Sequence, residues 1–243
     1  MDLVSVCGTM RHAFKTARDG MKSTRVLKAV SVVEALEAEL AGRILDGDFA
    51  AGDHLRELEL SLEYQVGRQT LRAAFDGLVR RGLLRKARNR GVFVPEFTAH
   101  DLVEIYELRN ALEAQAFRTL ASRKTVPEPA RDAMARYRDL DDRSPQHLRI
   151  EADLAFHTAI VNATENERLA RVHEQLQGEI LLCIAQLGPA YATVRELAAE
   201  HAELLEAIAS GRPSTAEAAI RRHLERAGAH LLATAYGATP TAR

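Results

Sequence analysis

Cysteine is scarce in this chain. Cys7 and Cys183 are the only two among 243 residues and lie far apart, which excludes a disulfide framework and fits a reducing compartment, the cytoplasm. No apolar run is long enough to span a bilayer, so no membrane partner is expected. The opening Met1-Asp2-Leu3-Val4 lacks the charged and then apolar stretches of an export signal. Excess charge of either sign is missing too, with 33 Lys and Arg against 34 Asp and Glu. Any affinity for a polyanion must therefore be local. No His-Glu-x-x-His motif, nucleophile elbow or phosphate loop is present, nor any internal repeat or low-complexity tract.

What is there suffices for two domains, each with a core of its own. Residues 1–24 have weak periodicity and several Lys and Arg, and are expected to form a flexible N-terminal extension. From Val26 onward, Val30, Val33, Leu36, Leu40 and Ile44 recur with helical period to about residue 46. Gly47 and Gly52 bracket the following turn. Two shorter helices are expected near 57–64 and 68–82, then short strands Leu83–Ala87 and Val92–Pro95 around a basic tip, Arg88-Asn89-Arg90-Gly91. Beyond Thr98 the pattern is helical, with breaks near Val126-Pro127, Ser144-Pro145, Gly188-Pro189 and Gly211-Arg212-Pro213. The fold class is mainly α with one small hairpin. It divides into 25–97, an all-helical 98–236 and a tail at 237–243.

The basic residues are concentrated. From Tyr64 to Val94 eight of them (Arg68, Arg72, Arg80, Arg81, Arg85, Lys86, Arg88 and Arg90) face one acid, Asp76. A helix entering a DNA major groove presents its first turns to phosphates and base edges. Here those turns carry Arg68, Gln69, Thr70 and Arg72. Arg68 and Arg72 are four apart and share a face, and Arg suits bidentate contact with guanine or phosphate. Leu71, Phe75 and Leu78 would face inward, and Arg88, Arg90 and Gly91 at the hairpin tip would reach a neighbouring groove or backbone. Arg80 and Arg81 alone read as solvated surface.

In the second half, Asp153, His157, His201 and His223 occupy positions where helical spacing calls for core residues, and burying such groups is costly unless they are paired. Asp153 and His157 are four apart in a stripe with Ile150, Leu154, Ile160 and Val161. His201 is in line with Val194, Leu197, Leu204, Leu205 and Ile208, and His223 with Ala219, Ile220, Leu224, Ala227 and Leu231. His201 lies eleven residues before Arg212 and His223 eleven after it. In an antiparallel helix pair turning at that point, the two imidazoles stand at the same height. One Asp and three His form an N/O ligand set for a divalent metal ion such as Zn, Ni or Mn. The competing reading is a structural Asp153–His157 hydrogen-bonded pair with His201 on a backbone carbonyl. His230 falls near the edge of its stripe and His173 on a mixed face, so neither is included, while His12, His54, His100 and His147 read as surface residues. Arg109 falls on the inward face of Leu102, Ile105, Tyr106, Leu112 and Ala116. It needs an anion there, either Glu113 or a small carboxylate effector.

Residues 32–95 resemble the winged helix-turn-helix of GntR-type transcriptional regulators, through Gly47…Gly52-x-x-Leu55, Glu57-x-Glu59-Leu60, Val66-x-Arg68-x-Thr70-Leu71-Arg72 and Gly82-Leu83-Leu84…Gly91-x-Phe93-Val94. The family commonly has Ser before the Arg that opens the recognition helix. Gly67 stands there instead and offers no side-chain oxygen as a cap. Residues 100–233 resemble the FCD effector domain of the FadR-type subfamily, through Asp101-x-x-x-Ile105-Tyr106-Glu107-x-Arg109-x-x-Leu112-Glu113, Asp153-x-x-Phe156-His157 with Asn166 following, His201-x-x-Leu204-Leu205-x-Ala207-Ile208 and Gly211…His223-Leu224. The resemblance implies an antiparallel helical bundle that holds a metal through Asp153, His157, His201 and His223, with Arg109 contacting an organic acid. It also implies a homodimer on a palindromic double-stranded DNA operator, a repressor rather than an enzyme. Two rivals stand beside it. One is a metal-dependent hydrolase with an attached nucleic-acid module, which would need a metal-bound water. The other is a helical interaction protein with a purely structural metal.

Overall fold

The computed structural model describes residues 31–88, 90–187 and 192–237. The extension expected at 1–24, the first residues of the 26–46 pattern, the break at Gly188-Pro189 and nearly all of the tail at 237–243 lie outside these.

Helix α1 (Val32–Asp46) buries Leu36, Leu40 and Ile44, as the period requires. Helices α2 (Glu57–Glu63) and α3 (Arg68–Arg80) follow, joined by a tight turn in which Gln65 has φ 52°. Leu71, Phe75 and Leu78 are the inward residues of α3. Each is worth about 1.5–3 kcal/mol of burial, which outweighs the exposed polar face and fixes the helix's rotation. Strands β1 (Arg85–Ala87) and β2 (Gly91–Phe93) pair antiparallel with Lys86 opposite Val92. The strands are shorter than their apolar pattern suggested, because Leu83 and Leu84 drop into the core beneath α3 rather than joining the ladder. The other edge of β2 is met by the 52–55 segment, with Leu55 N–H on Val92 O and Gly52 N–H on Val94 O.

Six further helices are described: α4 (Ala99–Arg123), α5 (Glu128–Arg138), α6 (Gln146–Asn162), α7 (Glu167–Gln186), α8 (Val194–Ala209) and α9 (Pro213–Tyr236). Capping boxes Thr98/Asp101 and Thr193/Glu196 start α4 and α8, and Pro starts α9. One break was not expected: α6 ends at Asn162, Glu165 turns at φ 60°, and the Asn166 side chain caps α7. The run Asn162-Ala163-Thr164-Glu165-Asn166 carries that signal in polar turn formers rather than in Gly or Pro.

The hydrophobic core does not divide at 97/98. One cluster runs from Leu40, Leu71 and Phe75 through Leu102 and Ile105 to Leu154, Ile180 and Leu231, and a second fills the far end of the bundle. Polar contacts reinforce the junction. Gln146 Nε2 donates to Leu45 O and Ala185 O, both at 3.1 Å. His147, read from sequence as a surface residue, is half-buried, with its backbone N–H on Asp46 Oδ1 at 2.9 Å and its ring on Oδ2 at 2.6 Å. Gln186 Nε2 donates to Pro95 O at 2.9 Å.

The tightest approach is between α7 and the end of α3. A Cβ on Gly178 would collide with the Arg81 carbonyl oxygen and stand 2.8 Å from the Gly82 carbonyl carbon. Replacing a helical glycine with alanine ordinarily stabilises by roughly 0.5–1 kcal/mol. Here the backbone contact outweighs that gain, since overpacking costs roughly 1–3 kcal/mol. Gly178→Ala is therefore expected to lower Tm by roughly 2–6 °C. A rise in Tm in a thermal melt would show that the contact is not made.

Candidate functional site

Helix α3 presents its opening turn to solvent. Gly67 is its N-cap without a side-chain cap bond. Arg68, Gln69 and Arg72 are exposed and Thr70 is half-buried. The Nε of Arg72 donates to Glu57 Oε2 at 2.8 Å, an exposed pair worth about 0–1 kcal/mol, so a phosphate can displace the carboxylate. In the hairpin, Arg88 and Arg90 are exposed, and Gly91 turns at φ 72°, a conformation that favours glycine. The Arg90 guanidinium lies 4.1 Å over the Phe93 ring, which stiffens an otherwise loose side chain.

The second group lies in the bundle. Helix α6 supplies Asp153 and His157, α8 His201 and α9 His223. Ring centroids of His201 and His223 are 5.2 Å apart, those of His157 and His201 5.2 Å, and those of His157 and His223 5.4 Å. One ligand nitrogen from each of the three falls within 4.8 Å of the others. Asp153 Oδ1 is 3.2 Å from His201 Nε2, and its Oδ2 is 4.0 Å from His157 Nε2. All three imidazoles are buried, yet His157 Nε2 and His201 Nδ1 have no hydrogen-bond partner, and His201 Nε2 has only the Asp153 carboxylate at 3.2 Å. An unpaired buried polar atom costs about 1–3 kcal/mol, so an N/O set with two such atoms beside a carboxylate fits a divalent cation.

The protonation states suit that role. Burial pushes the Glu113 carboxyl up, but the Arg109 guanidinium and His157 outweigh it and hold Glu113 well below the usual carboxylate range. An ionised Glu113 can only accept, so the 2.6 Å contact from His157 Nδ1 to Glu113 Oε2 is an N–H donation. That fixes the tautomer and leaves the Nε2 lone pair facing the cluster. Burial pushes His157 itself down to about 4, and Glu113 only partly offsets this. Burial likewise lowers His223. The Asp153 carboxyl, raised by burial, is pulled below its ordinary value by His201, His157 and Arg109. His157 and His223 are therefore neutral beside an ionised Asp153, the ionisation that a metal needs. On the outer side, His223 Nδ1 meets Glu200 Oε2 at 3.0 Å, and Glu200 also pairs with Arg226.

Arg109 is 2 % exposed. Its Nε donates to Glu113 Oε1 at 2.6 Å, while its Nη2 is buried without a partner. Of the two anions that sequence reasoning weighed, Glu113 takes one edge of the fork, and another edge is left over. Arg109, Asp153 and His223 line one cavity of about 80 Å³, together with Tyr106, Tyr137 and Arg149. On that scale one water needs roughly 10–15 Å³, so the space suits a small molecule. Sequence reasoning missed His173, which is buried at 3.7 Å from Glu113, as well as Glu200, Tyr137 and Arg149. His173 showed no signal because its helix face is mixed.

Two family models match this architecture: "Bacterial regulatory proteins, gntR family" over residues 32–94 and the FCD domain over residues 104–226. The chain belongs to the GntR family of transcriptional regulators, in its FCD-containing branch. This regulator is 28% identical over 214 residues to the Paenarthrobacter nicotinovorans protein named "Probable D-xylose utilization operon transcriptional repressor", covering 88% of the chain and 91% of that relative. It is 26% identical over 204 residues to the HTH-type transcriptional regulator LutR of Bacillus subtilis (strain 168), covering 74% of the chain and 92% of LutR. The crystal structure of a GntR regulator from Rhodococcus sp. RHA1 shares its fold, with TM-score 0.67 at 24% identity over 84% of this chain and 98% of that one. These families and relatives are regulators of transcription, not enzymes, which removes the hydrolase reading. Among the described residues no helix is long and apolar enough to cross a membrane.

Proposed function

We propose that this GntR-family regulator is a cytoplasmic homodimeric repressor whose grip on a palindromic operator is released by a small carboxylate. Its reading head spans 25–97, with Arg68, Gln69, Thr70 and Arg72 entering the major groove and Arg88, Arg90 and Gly91 lying against the backbone or a neighbouring groove. Its effector domain spans 98–236, where Asp153, His157, His201 and His223 hold a divalent ion (Zn, Ni or Mn) and Arg109 receives the acid. The observation that carries the effector reading is the unpartnered Nη2 of Arg109 on a cavity that Asp153 and His223 also line, with unpartnered nitrogens on His157 and His201 in the adjoining cluster. A bound ion would offer the acid's oxygen a Lewis-acidic point beside Arg109. Helix α6 provides the coupling: the helix that carries Asp153 and His157 begins with Gln146 and His147, which hold Leu45 and Asp46 of α1. A ligand acts only through different affinity for two states of that arrangement.

The test begins with selection of binding duplexes from a random DNA library by the purified protein. The expected product is an enriched inverted repeat. Arg68→Ala and Arg72→Ala should each weaken its binding about 5- to 150-fold and lower the salt slope by about 1 where a phosphate contact is lost. No enriched repeat, or full affinity in both variants, would overturn the assignment of α3.

A further inference from the structure

Arg149 is a second cation on the same cavity, and no carboxylate pairs with it among the described residues. It lies one helical turn before Asp153 on α6, about 6 Å along the axis and on the same face. Its guanidinium makes no ion pair among the described residues, and its Nε is buried with no hydrogen-bond partner. Arg109, on α4, lines the same cavity and carries an equally unpartnered Nη2. Of the fully charged side chains lining that space, two are guanidiniums and one is a carboxylate, Asp153. Glu113, behind Arg109, brings the protein's own balance to neutral. Resting on the reading above, a divalent ion then leaves the pocket with two surplus positive charges, and a monocarboxylate would cancel only one.

We propose that the effector is a short dicarboxylate, with one carboxylate at Arg109 and the cluster and the other on Arg149. Arg149 sets the specificity for the second acid group. Ile150, Val194, Leu197 and Leu231 wall the cavity between the polar groups, which accommodates a methylene spacer and gives no partner to a polyhydroxylated chain. Tyr106, pushed up to about 12 mainly by burial, stays a neutral phenol and so does not repel a dianion.

The test uses full-length metal-loaded protein and two four-carbon probes that differ in the second acid, succinate and butyrate, measured by calorimetry. Wild type should prefer succinate at least about tenfold, the discrimination expected of a lost charge-assisted contact. Arg149→Met should collapse the preference to below about twofold, with Arg149→Lys in between because it keeps charge but not the fork. A wild-type protein that binds both acids equally, or an Arg149→Met variant that keeps the preference, overturns the dicarboxylate proposal while the carboxylate site stands. If Arg109→Met leaves the binding of both acids intact, or wild type binds neither, the carboxylate site itself falls and the proposal with it.

Discussion

Glu113→Ala is expected to destabilise the protein by about 3–5 kcal/mol, or roughly 6–20 °C in Tm. Glu113 is fully buried and makes 2.6 Å bonds to both Arg109 Nε and His157 Nδ1. Removing it strands a buried guanidinium and a buried imidazole donor together, which is why the cost exceeds that of an ordinary surface ion pair several-fold. Glu113→Gln keeps the shape and one acceptor, so it should cost less. The double variant Arg109→Met/Glu113→Leu should recover most of the loss, since only the His157 donor then lacks a partner. Urea unfolding of the set measures this, and a single-variant loss under about 1 kcal/mol would refute the network. A second readout is independent of stability. With its orienting carboxylate gone, His157 should bind a metal about 10- to 100-fold more weakly.

Metal ions should stabilise the regulator, and His201 should be the residue on which that depends. At about 100 times its Kd a ligand of the native state adds about 2.7 kcal/mol, here roughly 5–11 °C in Tm. His201→Ala should lose that increment. Without metal the same variant should already melt below wild type, because the 3.2 Å contact to Asp153 and the ring packing on Phe156 at 4.3 Å are both lost, so the metal-dependent increment is the deciding readout. Thermal melts with added Zn, Ni or Mn salts, and after chelation, test both halves. An equal shift in variant and wild type would remove His201 from the metal site.

Much of this was legible in the sequence, for reasons that differ by element. The face of α3 was readable because Leu71, Phe75 and Leu78 leave only one inward rotation. The pairing of His201 with His223 followed from equal spacing about the Arg212 turn. Arg109 stood out on the inward stripe of Leu102, Ile105 and Tyr106, and the family pattern added the bundle and the acid contact expected of that residue. What stayed hidden depends on contacts between helices distant in sequence. Glu113 could be named as a partner for Arg109, but its second bond to His157 comes from α6, 44 positions away. Arg149 gave no signal, since only packed α4, α8 and α9 make its surroundings a cavity. The α6–α7 break escaped because its turn uses Asn, Thr and Glu. The continuous core across 97/98 was invisible because periodicity reports that a face is buried, not what covers it.

At Gly82 and Gly178 the end of the recognition helix meets α7 through bare backbone, 3.5 Å from a would-be Gly82 Cβ to the Gly178 Cα. Elements that interlock through side chains settle into a few discrete positions, like teeth in a ratchet. Here the teeth stand to either side of the bare contact, Arg85 with Glu179 at 3.4 Å and Arg81 with Glu151 at 3.8 Å, partly exposed pairs worth about 0–1 kcal/mol each. A slide would drive backbone into backbone, whereas a small turn about the glycines would strain only these pairs and the polar contacts of Gln146 and Gln186. On a dimer of the proposed kind, a few degrees at each such pivot would put two half-sites out of phase.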